Sequence, residues 1–154
     1  MDDALKNRIA RLRIMLEKDD DPSIGFLAPP ARRPVFPQDI PEVYRALLRE
    51  ADGAVCGTVT LYESDEVLQH QDDADALPGD PGNWFCFGAI DDKPLWLDLR
   101  QNTVHLVNPE EDFDPDESLG EFHYFLQTCV FGDGYVEFTA EPDDGWLEFL
   151  RRHP

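Results

Sequence analysis

The sequence predicts an α+β fold in which helices pack on a β-sheet of about four to six strands. Three observations support this class. Apolar residues recur at helical spacing in 3–18 and 41–48, they recur at every second position after Gly53, and three short apolar segments separated by turn residues fill 84–107. The chain has 154 residues, of which 42% are hydrophobic, enough for the core of one domain. We expect an N-terminal extension over 1–38 and a core over 39–154.

The extension begins with a helix and continues as a proline-rich strap. Leu5, Ile9, Leu12 and Leu16 form one apolar stripe, which predicts a helix that docks by a single face. Five prolines lie between Pro22 and Pro37, a density that predicts an irregular, extended strap.

A second helix and a strand open the core. Pro41 stands near the first helical position and Gly53 ends the segment. Its buried stripe comprises Val43, Tyr44, Leu47 and Leu48. Beyond Gly53 the alternation over 55–61 predicts one strand.

The next segments predict a polar loop followed by three strands. The loop spans 69–83 and the strands span 84–90, 95–100 and 103–107. Phe85 and Phe87 fall on one face, whereas Trp84 and Cys86 fall on the other. Because both faces are apolar, we expect this part of the sheet to be covered on both sides.

The last third predicts two helices and an edge strand. Ser118 and Glu121 are spaced as a capping box, S-x-x-E, ahead of apolar residues at helical spacing. Residues 135–139 alternate as an edge strand does. Residues 144–152 predict a closing helix with Trp146, Phe149 and Leu150 inward.

The charge is concentrated in the strand-rich part. The chain has 33 acidic and 13 basic side chains, a net of −20; residues 1–53 carry 10 and 9, and residues 54–154 carry 23 and 4. The two parts therefore have net charges of −1 and −19. Such a field repels nucleic acid and anionic membranes and attracts a basic protein. An acidic surface that serves only solubility is the alternative.

No residue pattern predicts catalysis, a cofactor or a metal. Asp112, Asp114 and Asp116 copy the start of a calcium loop, but Glu117 and His123 stand where that loop needs glycine and glutamate. On the predicted helix, His123 and Cys129 are about 120° apart and do not face each other. Histidines 70, 105 and 153 are expected at the surface or at sheet edges. A hydrolase built on paired carboxylates remains an alternative in so acidic a chain.

The cysteines and the N-terminus predict a cytoplasmic protein. Cys56, Cys86 and Cys129 lie in or beside apolar runs without metal or redox spacing, as buried thiols in a reducing compartment do. The N-terminal residues lack the apolar stretch of a secretion signal, and no run of 18 apolar residues occurs.

From Ile40 to Val130 the order of segments resembles the SUKH superfamily, which includes the Smi/Knr-type cell-wall regulators. IPEVYRALLREADGAVCGTVTLY is similar to its opening helix, glycine and strand, and WFCFGAIDDKPLWLDL is similar to its central strand pair. Ala54 and Lys93-Pro94 depart from the pattern, where the family has glycine. The positions that mark the likeness are Pro41, Tyr44, Gly53, Trp84, Phe87, Gly88, Asp91 and Asp98.

The resemblance implies a mixed, bent sheet and a non-enzymatic, protein-binding function. Many bacterial members are immunity proteins that neutralise a toxin, often a nuclease. We therefore expect a monomer or weak dimer that binds a basic toxin domain; a regulatory or scaffolding module without a toxin is the alternative. The residues predicted to contact the partner lie in two acidic segments: Asp72, Asp73, Asp75, Asp80, Glu110, Glu111, Asp112, Asp114, Asp116 and Glu117.

Overall fold

The computed structural model describes residues 1–32, 35–108, 110–138 and 144–154. Its centre is a six-stranded sheet in the order β1-β2-β3-β4-β5-β6, which confirms the α+β class and the predicted range of strand number. The strands are β1 (Gly25–Leu27), β2 (Ala54–Cys56), β3 (Val59–Leu61), β4 (Trp84–Ile90), β5 (Lys93–Asp98) and β6 (Thr103–Leu106).

All five strand pairings are antiparallel, so the expectation of a mixed sheet is wrong. A parallel pair needs a crossover connection of a dozen or more residues. Here Gly57-Thr58 joins β2 to β3 and Asp91-Asp92 joins β4 to β5. Such turns reverse the chain direction and leave consecutive strands side by side.

Two strand predictions need correction near the proline-rich strap. The strand expected over 55–61 is a hairpin of β2 and β3, because Gly57 has a φ of +61° and turns the chain there. The strap is not wholly irregular, since Gly25–Leu27 pairs with Ala54–Cys56 as β1. Its register places Phe26 opposite Val55, and both side chains are exposed.

The hairpin of β4 and β5 lies inside the sheet and is buried on both faces, as predicted. Phe87 and Leu97 belong to the main core, whereas Trp84 and Trp96 belong to a smaller cluster on the opposite face. The register shifts by one residue between Cys86 and Gly88, which marks a β-bulge. Only glycine fits at position 88, because a Cβ there would overlap the Thr60 carbonyl of β3.

The α-helices of the described residues cover the face of the sheet that carries Phe87. They are α1 (Asp3–Leu16), α2 (Glu42–Leu48), α3 (Phe122–Tyr124), α4 (Tyr135–Phe138) and α5 (Gly145–Arg152), and α3 continues as a π-helix over Phe125–Val130. Short 3₁₀ helices lie in and just before the predicted polar loop, at Val67–His70, Asp72–Ala76 and Pro81–Asn83. The predicted inward residues of α1, α2 and α5 are buried, except that Val43 and Leu16 are only partly covered. Within the described residues, no helix combines the length and apolar character that crossing a bilayer requires.

Two predictions for the last third are wrong. Ser118 does not cap a helix, because residues 119–121 extend along β6: the Leu119 N–H donates to the Val104 carbonyl at 2.7 Å, and α3 begins only at Phe122. Tyr135–Phe138 is a short helix rather than an edge strand. Its backbone bonds locally: the Tyr135 N–H donates to the Gly132 carbonyl at 3.3 Å and the Glu137 N–H to the Gly134 carbonyl at 3.0 Å. Tyr135 is buried, and its hydroxyl accepts the Thr58 N–H at 2.9 Å. Thr139 lies outside the described residues.

Candidate partner-binding surface

The face of the sheet opposite the helices, hereafter the second face, carries a small hydrophobic cluster. The alternation of side chains in β4 and β5 directs Trp84, Cys86 and Trp96 to this face. The cluster is completed from other segments by Ala74, Leu77 and Val107, with Tyr62 and Phe113 partly covering it. The second face is therefore covered by chain segments outside the sheet, and these include both acidic segments.

The first acidic segment, 71–80, is fixed to β4 through side chains. The Gln71 amide donates to the Cys86 carbonyl at 2.8 Å and accepts the Cys86 N–H at 2.9 Å, so one side chain pairs with the strand at its bulge. The Trp84 indole N–H donates to the Pro78 carbonyl at 2.9 Å. Ala74 and Leu77 face the sheet. The predicted contact residues Asp72, Asp73, Asp75 and Asp80 are all exposed.

The second acidic segment, 110–117, is anchored on the same tryptophan. The Phe113 ring packs edge-on against Trp84 with centroids 5.4 Å apart, and it also contacts the ring of His105 at 5.8 Å. The turn that follows is closed by the Asp116 N–H, which donates to the Asp114 carboxylate at 2.9 Å. The predicted contact residues Glu110, Glu111, Asp112, Asp114, Asp116 and Glu117 are exposed.

Trp84 thus brings together two acidic segments that are 30 residues apart in the sequence. Its indole nitrogen holds the first segment and its ring supports the second. Of the positions that marked the family likeness, Trp84 is therefore the one that organises the predicted contact residues. Pro41, Tyr44, Gly53, Phe87 and Gly88 instead position α2 and the strands, and Asp91 lies in the β4–β5 turn with a φ of +53°.

Asp98 is the one buried acid among the family-marking positions. Only 3% of Asp98 is exposed, and its carboxylate accepts the Arg100 backbone N–H at 2.9 Å and the guanidinium at 2.9 and 3.1 Å. Burial acts to raise the pKa of Asp98, but the hydrogen bonds and charge of Arg100 outweigh it and lower that pKa below its ordinary value. The pair closes the end of β5 beneath the turn to β6.

His105 lies on β6, the strand at the edge of the sheet, which is one of the two locations expected for the isolated histidines, but it is buried. It is 3% exposed, and its ring contacts the rings of both Trp84 and Phe113. Burial lowers its pKa, although the Glu117 carbonyl and the Asp98 charge act in the opposite direction. The imidazole Nε2 lies 2.9 Å from the Thr103 hydroxyl. His105 is therefore a packing residue below the second acidic segment.

Two clefts border the first acidic segment. One, of about 370 Å³, is lined by Tyr62, His70, Asp72, Asp73, Asp92 and Trp96, together with Gln69, Cys86 and Pro94. The other, of about 610 Å³, contains Trp84, Asp39, Asp75 and the half-exposed Leu99 among its walls. Asp72 lines both, so the first segment forms the ridge between them.

The thiols do not have the environment of nucleophiles. Burial raises the pKa of Cys86 to about 12, with the Gly88 carbonyl acting against this rise and the Asp73 charge adding to it. Burial also raises the pKa of Cys129 to about 11 and that of Cys56 well above its usual value. All three stay protonated at neutral pH, whereas the thiolate is the reactive form.

The acidic side chains of the described residues do not form a metal site either. Within residues 1–32, 35–108, 110–138 and 144–154, no three His, Cys, Asp or Glu side chains converge as metal ligands do. Asp112, Asp114 and Asp116 point to no shared centre of this kind.

Sequence reasoning predicted the acidic segments but missed what holds them. Gln71, His105 and Phe113 anchor the segments, and Asp92 adds a further carboxylate from the β4–β5 turn. Phe113 carried a signal, since it is a lone aromatic residue inside PEEDFDPDE. Gln71 carried none, because its partner is the backbone of a strand 15 residues away.

No model of a known protein family matches the chain, and no curated protein sequence is significantly similar to it.

Proposed function

We propose that this chain is a SUKH-type, non-enzymatic binding protein that neutralises a basic, nuclease-type toxin in the bacterial cytoplasm. One observation carries the proposal: both acidic segments are anchored on Trp84 and expose ten carboxylates beside the second face. A single rigid strand pair thus supports a broad negative surface, which is the arrangement that a basic partner requires.

Electrostatic complementarity explains why the partner would be of the nuclease type. An enzyme that holds a phosphate backbone needs a positively charged groove. An acidic protein is attracted to that groove at long range and covers the surface on which the substrate binds. The same negative field repels nucleic acid, so the inhibitor does not itself bind the nucleic-acid substrate of the toxin.

The charge distribution supports a protein partner over a solubility function. Residues 1–53, which form α1, α2 and the strap, have a net charge of −1, against −19 for residues 54–154. A surface made acidic for solubility alone has no reason to spare one third of the chain. The raised pKa values of the three thiols argue against a cysteine nucleophile, which favours binding over thiol-based catalysis.

The test is capture of the partner on the immobilised full chain. Lysate of the source cell is applied at about 50 mM NaCl, and bound protein is eluted at about 500 mM. Over this range the Debye length shortens, so electrostatic attraction between the proteins weakens. We expect an eluted protein with a basic domain that arrests growth when expressed alone and whose nuclease activity the chain inhibits. Capture of only non-toxic regulatory proteins would instead favour the scaffolding alternative.

A charge variant tests whether the acidic surface makes the contact. Changing Asp72, Asp73 and Asp75 to Asn should slow association roughly threefold to tenfold at low salt and flatten its salt dependence. The matched control removes three negative charges elsewhere, by Asp20→Asn, Glu137→Gln and Glu148→Gln. These residues are exposed and lie, in that order, in the chain after α1, on α4 and on α5. Equal association rates for the two triple variants would contradict the assigned surface.

A further inference from the structure

We propose that the cleft lined by Tyr62, His70, Asp72, Asp73, Asp92 and Trp96, hereafter the acidic cleft, receives an arginine side chain from the partner protein. This inference deepens the proposed function and rests on it for the identity of the partner as a protein. It assigns one site of recognition within a surface that is otherwise defined only by charge.

The carboxylates of the acidic cleft come from two separate parts of the chain. Asp72 and Asp73 belong to the first acidic segment, and Asp92 projects from the turn between β4 and β5. All three are exposed, so a cation between them keeps access from solvent. Three carboxylates around one cleft favour a cationic ligand. A guanidinium has five N–H donors in a plane, so it can donate hydrogen bonds to more than one carboxylate at once.

Aromatic walls favour a planar cation over a compact one. The rings of Tyr62 and His70 stack with centroids 3.8 Å apart and an interplanar angle of 10°, so each keeps one face outside the pair, and both residues line the acidic cleft. Flat aromatic surfaces stack on guanidinium groups, whereas an ammonium group lacks a face for stacking. The volume of about 370 Å³ is within the range of small-molecule sites and accommodates one long side chain.

The second, independent observation is an unpaired donor in the wall. The chain has three tryptophans. The indole N–H of Trp84 donates to Pro78 and that of Trp146 to Val130, but the indole nitrogen of Trp96 has no partner among the described residues, although Trp96 is 99% buried. Buried polar groups are normally hydrogen-bonded. The indole nitrogen has almost no accessible area of its own, so a partner's peptide carbonyl reaches it only when the side chains over it move aside. An arginine residue would bring such a carbonyl together with the guanidinium.

Short peptides test the acidic cleft without the natural partner. The probes are acetyl-Gly-Arg-Gly-amide, the same peptide with lysine, and the same peptide with citrulline, which is uncharged but nearly isosteric with arginine. Each is titrated into the isotopically labelled full chain, and the three indole N–H signals are followed by nuclear magnetic resonance. We expect the arginine peptide to shift the Trp96 signal, the lysine peptide to bind more weakly and the citrulline peptide to leave the signal unchanged.

Charge variants separate the acidic cleft from the rest of the acidic surface. Changing Asp72, Asp73 and Asp92 to Asn should weaken arginine-peptide binding by about tenfold or more, the usual effect of losing a charge-assisted hydrogen bond. The matched control, Asp112, Asp114 and Asp116 to Asn, removes the same charge from the second acidic segment and should retain the affinity. The Trp96 indole signal is identified as the one that disappears in Trp96→Phe. If that variant does not fold, the signal is assigned through the backbone resonances instead.

The outcomes distinguish this inference from the proposed function. Equal binding of the arginine and citrulline peptides, shifts confined to Trp84 or Trp146, or equal effects of the two triple variants would overturn the arginine site. The inhibited toxin of the capture experiment could still be found, and the proposed function would then stand without this cleft. Conversely, a specific arginine-peptide response in a chain that inhibits no basic toxin would retain the site and overturn the proposed function.

Discussion

At the residue scale, Tyr44 shows which part of a side chain's role can be predicted. Helical spacing predicted its burial, and its ring indeed packs against Phe85, Phe87 and Phe122. The partners of its hydroxyl could not be predicted: it donates to the carbonyls of Phe87, at 3.0 Å, and Tyr62. Those carbonyls converge only once β3 and β4 have paired, so the interaction depends on the tertiary structure.

Tyr44→Phe should lower the free energy of unfolding by about 1–2 kcal/mol, because it removes the hydroxyl donor of the Tyr62 carbonyl and leaves the Phe87 carbonyl with only the Tyr62 N–H. Urea denaturation measures the change. The control is Tyr124→Phe, at a tyrosine that is 53% exposed, where a change within about 0.5 kcal/mol is expected. Similar losses for both variants would show that the Tyr44 hydroxyl contributes nothing specific.

His105 should make the free energy of unfolding fall as the pH decreases below about 6.5. Burial lowers its pKa in the folded state, so the unfolded chain, with a histidine pKa of about 6.5, binds a proton more readily. The stabilisation is complete above about 6.5 and is lost as the pH falls through the folded pKa. We expect His105→Gln to flatten the decline of unfolding free energy over this range, as measured by denaturation at several pH values.

If the His105→Gln variant keeps the slope of the original chain, the pH dependence does not come from His105.

At the element scale, local pattern predicted helices and strands where one face meets one core. Elements α1, α2, α5 and the β4–β5 hairpin were recovered in this way. Prediction failed where the backbone bonds locally or turns within an alternating segment. Alternation over 135–139 suggested a strand, yet the Tyr135 and Glu137 N–H groups donate to the Gly132 and Gly134 carbonyls, and the segment is helical. Alternation over 55–61 also continued through Gly57, which reverses the chain.

Gly57→Ala should destabilise the chain more than Gly79→Ala does. Both glycines have positive φ values, +61° and +84°, so alanine costs about 1–2 kcal/mol of backbone energy at either. At Gly57 the added Cβ would also overlap the Tyr135 hydroxyl and the Asp144 carboxylate, whereas at Gly79 its nearest neighbour is an Arg100 nitrogen at 3.9 Å. Unfolding free energies of the two variants isolate the steric contribution, and equal losses would contradict it.

At the scale of the whole molecule, composition predicted a single acidic surface but not how it is assembled. The ten predicted contact acids are exposed as expected, and both their segments lie on the second face. Their common support through Trp84, Gln71 and Phe113 could not be predicted, because these contacts join strand β4 to segments on either side of it. Asp92 was overlooked because it lies in a turn, far in sequence from both acidic segments.

The net charge of −20 predicts that added salt stabilises the folded chain. The Debye length falls from about 30 Å to about 10 Å as ionic strength rises from about 10 mM to about 100 mM. Repulsion among the crowded carboxylates is therefore weakened. We expect the midpoint of thermal unfolding to rise over this range. Asp112, Asp114 and Asp116 to Asn should reduce the rise, and a midpoint that falls with salt in the original chain would contradict the prediction.

The pairing of Gln71 with the backbone of Cys86 has a consequence for how this molecule could diversify. The first acidic segment contributes one amide, two apolar side chains and an acceptor for Trp84, and it takes no part in the ladder between strands. Each exposed position between these anchors can therefore change without altering the register of the sheet. Under the function proposed above, the recognition sequence in this segment could be exchanged while the sheet stays unchanged.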